Sequence, residues 1–213
     1  EQERHPAWRY RMPLMTTTPP AFGCVTAARR TFAVNGLRLS ALEWPAPGRP
    51  ALCFLHGGSA HAHWFDAVVP AFVGRYHVLS LDQRGHGASE WSSTGEYATE
   101  HFASDLLGVM EAQGWERMAL AGHSMGGHNA MAFSAWNPQR ISALTIIDSR
   151  PSLPPERLNA MHRRGHRGPR RHETFDAALA SFRLLPAETT ADPALLAHLG
   201  HEGIAERDRR FLY

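Results

Sequence analysis

The chain has 213 residues, 22 cationic against 20 acidic side chains for a net charge of +2, and an apolar share of 43%. That composition suits one good-sized domain with a packed core and excludes wholesale disorder. Every cation is arginine, and without lysine this chain offers no Schiff-base amine, no pyridoxal-phosphate anchor and no phosphate-cradling P-loop lysine.

Charge near balance gives no strong push toward nucleic acid or a membrane surface. Cys24 and Cys53 are too few for a disulfide scaffold, and Cys53 lies inside the apolar run Leu52-Cys53-Phe54-Leu55. No stretch approaches the roughly 20 apolar residues of a membrane span. The first 20 residues lack the apolar core of a secretory signal, so a cytoplasmic location is expected. Met12 and Met15 follow closely on Glu1, which is compatible with a cloning or contig edge over residues 1–14, and residues 1–28 are expected to form a poorly ordered extension.

The ordered pattern begins with Thr31 to Val34 and Leu37 to Trp44, which flank Asn35-Gly36, a strong two-residue hairpin signal. Short, wholly apolar runs follow at Ala51 to Leu55, His77 to Leu81, Met118 to Ala121 and Ala143 to Ile147, as in strands buried on both faces. Between the second and third, Phe102, Leu106, Val109 and Met110 recur at helical spacing, with Thr99 as N-cap and Gly114 as stop. Gly127 to Trp136 reads as a helix closed by Asn137-Pro138. Such alternation predicts an α/β fold with a mostly parallel sheet and helices on both faces. After Arg150 the strand signals stop. Pro151, Pro154 and Pro155 break the chain, the stripe Phe175, Ala178, Leu179 and Phe182 predicts one helix, and Ala194 to Leu199 another. An all-helical insertion is expected there.

Three segments carry chemistry. Gly122-His123-Ser124-Met125-Gly126 stands between an apolar run and a helix. A bare G-x-S-x-G arises by chance in about one chain in fifteen of this length, so its context gives it force. A sharp strand-to-helix turn strains the serine backbone, glycines two residues either side relieve the crowding, and the helix N-terminus presents the Met125 N–H to a developing oxyanion. Leu55-His56-Gly57-Gly58-Ser59 ends the first buried strand, where a second N–H, that of Gly58, can reach a reacting carbonyl. Leu81-Asp82-Gln83-Arg84-Gly85-His86-Gly87 follows the next strand and reads as a turn in which Asp82 caps backbone N–H groups.

In this order the three segments resemble the α/β-hydrolase superfamily, in particular serine-nucleophile members with a Gly-His-Ser-Met-Gly-Gly elbow. The resemblance runs from about Thr31 through Arg150. It implies a core over residues 29–150 and a helical lid over 151–213. It makes Ser124 the nucleophile and the Gly58 and Met125 N–H groups the oxyanion hole, with His56, Ser59 and His123 beside the substrate. Relatives with an aspartate nucleophile are disfavoured because the elbow carries serine.

In this fold the triad follows in the order Ser, acid, His, and no further strand is evident after Arg150. The chain is therefore expected to be C-terminally truncated, with the last strands, the catalytic acid and the histidine beyond Tyr213, and inactive by itself. Asp148, past the fourth run, is read as a turn cap, with a catalytic acid as its alternative. His56 and His86 are read as hydrogen-bonders near the site. His61-x-His63 with Asp66 is similar to the ligand run of metallo-β-lactamases, but the aspartate is one position late and Ala67 replaces a ligand. No metal and no cofactor are expected. The arginine-rich stretch from His162 to His172 lacks the interleaved aromatics of a nucleic-acid binder and reads as a solvated loop. The resulting expectation is a serine hydrolase of a small carboxylic ester, lactone or related acyl compound. An acyltransferase or carbon–carbon bond hydrolase could use the same site, and a non-catalytic ligand-binding or scaffold relative is the rival.

Overall fold

The computed structural model describes residues 26–152, 154–156, 159, 170–184, 189–207 and 210–212. The expected extension falls outside them as far as residue 25, as do Cys24 and residues 161–169 of the arginine-rich stretch. The chain divides after Ser149 into two compact units.

In the first unit, β1 (Ala28–Val34), β2 (Leu37–Trp44), β3 (Ala51–Leu55), β4 (His77–Leu81), β5 (Met118–His123) and β6 (Ile141–Ile147) form one sheet in the order β1-β2-β4-β3-β5-β6. The β1–β2 hairpin turns through Asn35 at φ 51° and Gly36 at φ 76°, both left-handed, which matches the twist of the flanking strands. β2 runs antiparallel to β4, whereas β3, β4, β5 and β6 run parallel. A parallel sheet gathers the C-terminal ends of its strands along one edge, and Ser59, Ser124 and Asp148 follow three of them there.

The period-two alternation of β3 sorts the core. Cys53 and Leu55 join Leu79, Leu81 and Leu120 beneath α1 (Thr99–Ala112) and α2 (Met125–Trp136), whose Leu106, Val109, Met110 and Phe133 fill the same layer. Leu52 and Phe54 face the other way with Phe65, Val69 and Val78. Burying each such side chain contributes about 1.5–3 kcal/mol. That second face is covered by two short 3₁₀ turns, Ala62–Phe65 and Val69–Ala71, with Phe65 stacked on Phe54 at 4.7 Å between ring centroids.

Two sequence expectations need correction here. Thr99 is the first helical residue of α1, and its N-cap is Ala98, with no side-chain cap. The N-terminal dipole of α1 is instead met by Glu100 in the first turn. The fourth apolar run is not buried on both faces. β6 pairs only with β5 among the described strands, and Leu144 and Ile147 are each 40% exposed. An apolar run reads the same in the middle of a sheet and at its edge, so hydropathy could not place it.

The second unit contains α3 (Phe175–Ser181) and α4 (Pro193–Gly203), near the two predicted helices. Each is capped: the Thr174 hydroxyl accepts from the Ala177 N–H at 3.1 Å, and the Asp192 carboxylate accepts from the Ala194 N–H at 2.7 Å. The expectation of an all-helical segment fails, because β7 (Arg171–His172), β8 (Ala205–Arg207) and β9 (Arg210–Leu212) form a small antiparallel sheet. Strands of two or three residues are too short to show alternation. Phe175 meets the Phe211 ring edge-to-face at 6.0 Å and ties α3 to β9. No helix among the described residues is long and apolar enough to cross a membrane.

Candidate active site

Ser124 stands between β5 and α2 at φ 51° and ψ −114°, a conformation costing a non-glycine residue about 1–3 kcal/mol. Three hydrogen bonds hold it there. Its N–H donates to the Ile147 carbonyl at 3.0 Å, and its own carbonyl accepts from the His128 N–H at 3.1 Å and the Ser149 hydroxyl at 2.9 Å. A Cβ on Gly122 would lie 2.6 Å from the Gly126 carbonyl carbon, and one on Gly126 would lie 2.6 Å from the His56 carbonyl oxygen. The elbow therefore packs backbone against backbone, which only glycine permits.

The His56–Ser59 loop lies against this turn. A Cβ on Gly57 would meet the Ser124 Cβ at 3.3 Å and His123 Nδ1 at 2.9 Å, and one on Gly58 would stand 4.0 Å from the Met125 sulfur. The Met125 N–H, first in α2, has no intrahelical acceptor. Gly58 is exposed, so the two expected oxyanion donors come from the His56–Ser59 loop and from the first turn of α2 beside it. The loop is closed by the Ala60 N–H on the Gly57 carbonyl at 3.3 Å, with Ser59 left-handed at φ 60°. Ser59, Ser124 and Asp148 are three of the four non-glycine residues with positive φ among those described, and all three follow strands at one sheet edge.

The expected substrate-binding residues divide. Ser59 is exposed beside Gly58. His123 is partly exposed, stacks on Trp64 with ring centroids 6.1 Å apart, and its buried Nδ1 makes no hydrogen bond among the described residues. Burial pulls the His123 imidazole below its ordinary pKa, against the opposing charge of Asp148. His56 is a correction: it is fully buried, and both ring nitrogens are engaged, Nδ1 with the Gly57 carbonyl at 2.7 Å and Nε2 with the Gln83 N–H at 3.1 Å. It supports the loop from behind and touches no solvent. Burial, reinforced by the neighbouring His86, pushes its pKa well down.

Asp148 is exposed at the end of β6, left-handed at φ 45°, and its carboxylate makes no hydrogen bond among the described residues, so it caps no turn there. The cap role falls to Asp82, which accepts from the Ala62 N–H at 2.6 Å and the Ala88 N–H at 3.1 Å and so ties two loops to β4. His63 hydrogen-bonds Asp66 through Nδ1 at 2.7 Å, and His61 is buried beside it. His86 turns its Nδ1 to the Arg84 carbonyl at 3.0 Å. Among the described residues no hydrogen bond reaches the Ser124 hydroxyl.

Four supporting residues have no role in the motif reading: Gln83, although it lies inside the third segment, and Asn129, Ser149 and Trp64. Asn129 carried a signal, since it occupies the buried stripe Gly126, Asn129, Ala130 and Phe133 of an otherwise apolar helix face.

Residues 50–192 match the alpha/beta hydrolase fold family. A serine hydrolase-like protein of Danio rerio is 36% identical over 113 residues, 53% of this chain and 34% of that protein. A 2-(acetamidomethylene)succinate hydrolase of Mesorhizobium japonicum is 29% identical over 131 residues, 62% of this chain and 47% of that protein. The chain thus spans less than half the length of either curated relative. Among solved structures, an alpha/beta hydrolase from Novosphingobium aromaticivorans superposes with a TM-score of 0.76 over 90% of this chain and 69% of that one, at 25% identity.

Proposed function

Because the chain belongs to the alpha/beta hydrolase fold family, we propose that it is a serine hydrolase of a small carboxylic ester, lactone or related acyl compound. The observation that carries this reading is Ser124 itself, held at φ 51° and ψ −114° by three hydrogen bonds and two close-packed glycines. Strain maintained this tightly at a helix N-terminus has a use when the hydroxyl must stand clear of the sheet.

In this reading Ser124 Oγ attacks the acyl carbon while its proton passes to a histidine base. The carbonyl oxygen takes the negative charge and accepts from the N–H groups of Gly58 and Met125. Collapse of the intermediate breaks the bond to the leaving oxygen, which receives the proton from the histidine. Water then attacks the acyl-enzyme, the base takes a proton from it, and the acid departs with Ser124 restored. No histidine hydrogen-bonds Ser124 among the described residues, and the family's chain order places the base after the acid and the acid after the serine. Asp148, which stands exposed past β6, is assigned no step in this reading.

The experiment is acyl-enzyme trapping by the protein translated from its complete reading frame. Mixing with p-nitrophenyl acetate should give a burst of p-nitrophenol and an acetyl adduct on the Ser124 peptide, both abolished by Ser124→Ala. Hydrolysis that persists in Ser124→Ala would overturn the assignment.

A further inference from the structure

A run of buried amides joins the nucleophile helix to the oxyanion loop. His56, Gln83 and Asn129 are 0%, 3% and 4% exposed. Asn129 Nδ2 donates to Gln83 Oε1 at 2.7 Å, Gln83 Nε2 donates to the His56 carbonyl at 2.7 Å, and the Gln83 N–H donates to His56 Nε2 at 3.1 Å. His56 Nδ1 lies 2.7 Å from the Gly57 carbonyl. We propose that Gln83 and Asn129 are positioning residues for the oxyanion hole, acting through His56 on the Gly57–Gly58 peptide. The proposal rests on the reading of Ser124 and Gly58 given above.

The roles in this chain are fixed by what each atom can do. A carbonyl only accepts and a backbone N–H only donates, so His56 must carry its proton on Nδ1 and leave Nε2 bare. The Gly57 carbonyl and the Gly58 N–H are opposite ends of one planar trans peptide, so holding the carbonyl against His56 aims the N–H the other way. The Gln83 amide has one productive orientation, because turned over it would set Oε1 against the His56 carbonyl oxygen. Asn129 selects that orientation by offering a donor to Oε1. It sits on α2, whose first residue, Met125, supplies the other proposed oxyanion donor. One hydrogen-bonded path therefore links the supports of both donors.

The test removes the Asn129 donor while keeping the size of the side chain. In Asn129→Leu, which can neither donate to Gln83 Oε1 nor protonate to do so, kcat for p-nitrophenyl acetate should fall about 10- to 100-fold with KM within about twofold, part of the roughly 10²–10³ that a whole oxyanion donor supplies. The His56 ring nitrogens and the Gly57 carbonyl should shift in the NMR spectrum while the thermal midpoint stays within a few degrees. Gln83→Met, which removes both side-chain bonds but keeps the backbone N–H, should act in the same direction. A folded variant with parental kcat, or one whose His56 and Gly57 signals do not move, overturns the proposal. So does an Nε2-protonated or charged His56 in the parent protein, a measurement that needs no variant. If the parent turns over no ester and Ser124 never reacts, the hydrolase reading fails, and the positioning role is decided by the NMR signals alone.

Discussion

Gly122 and Gly126 meet across the serine so closely that a Cβ on Gly122 would lie 2.6 Å from the Gly126 carbonyl carbon. The obstacle is backbone, which cannot swing aside as a side chain can. Gly122→Ala should lower stability by about 3 kcal/mol, the upper range for overpacking, and abolish reaction at Ser124. Gly95→Ala is the comparison, since Gly95 is left-handed at φ 73° in open space and should lose only about 1–2 kcal/mol to conformation. Urea unfolding of the two variants separates crowding from strain. Equal losses would show that the elbow is not close-packed.

Ser124 holds its place in the turn at the cost of backbone strain. Ser124→Gly should raise stability by about 1–2 kcal/mol, because glycine adopts φ 51° without penalty, whereas Ser124→Ala should leave stability nearly unchanged. The two midpoints, measured side by side in urea, check this. A glycine variant no more stable than the alanine one would remove the strain from the account.

Arg84 and Asp105 form a buried bidentate pair at 2.6 and 2.7 Å, and Asn35 adds a donor to Asp105 at 2.9 Å. Removing one partner strands the other charge away from water. Asp105→Ala should therefore cost about 3–5 kcal/mol. The replacement Arg84→Met with Asp105→Leu should recover much of that loss, since no charge remains buried. Denaturant midpoints of the single and double variants test both halves.

Much of the fold was legible because parallel strands and the hairpin each leave a local mark. The Asn35-Gly36 turn, the continuous apolar runs of β3 and β4, and the helical stripe of α1 needed no partner to be read. β6 departs from the expectation of burial on both faces because Leu144 and Ile147 look alike inside a sheet and at its edge. The strands of the second unit were invisible for lack of length. At the site, the elbow announced itself through glycines whose spacing answers a steric demand. Its supports did not, since Gln83, Asn129 and Ser149 work through hydrogen bonds between segments far apart in the chain. The resemblance puts His56 beside the substrate, and only its burial shows that it faces inward.

The same burial makes stability sensitive to acid. Desolvation holds His56 well below the ordinary histidine pKa, and it lowers His86 and His123 as well. Between the folded and unfolded values the unfolded chain binds more protons, so stability rises with pH there and is lost as pH falls below about 6.5. Each fully buried histidine adds a slope of up to about 1.4 kcal/mol per pH unit. Carboxylates such as Glu43 enter only lower. Burial raises the Glu43 carboxyl, but hydrogen bonds from Gln113 and His77, with the Arg30 charge, bring it below its ordinary value. Urea unfolding from about pH 7 to pH 5 should show the decline, and His56→Asn should flatten it. A stability level across that window would contradict the buried neutral state of His56.

The central claim is that Ser124 is a nucleophile served by an oxyanion hole. A fluorophosphonate reacts with a serine only when a base removes the proton and the phosphoryl oxygen is received by donors. The direct measurement is labelling of the protein translated from its complete reading frame, followed by mass spectrometry of the Ser124 peptide. The account predicts a single adduct on Ser124, formed within minutes and absent from Ser124→Ala. A folded protein that leaves Ser124 unlabelled, or that carries the label on another residue, would contradict it.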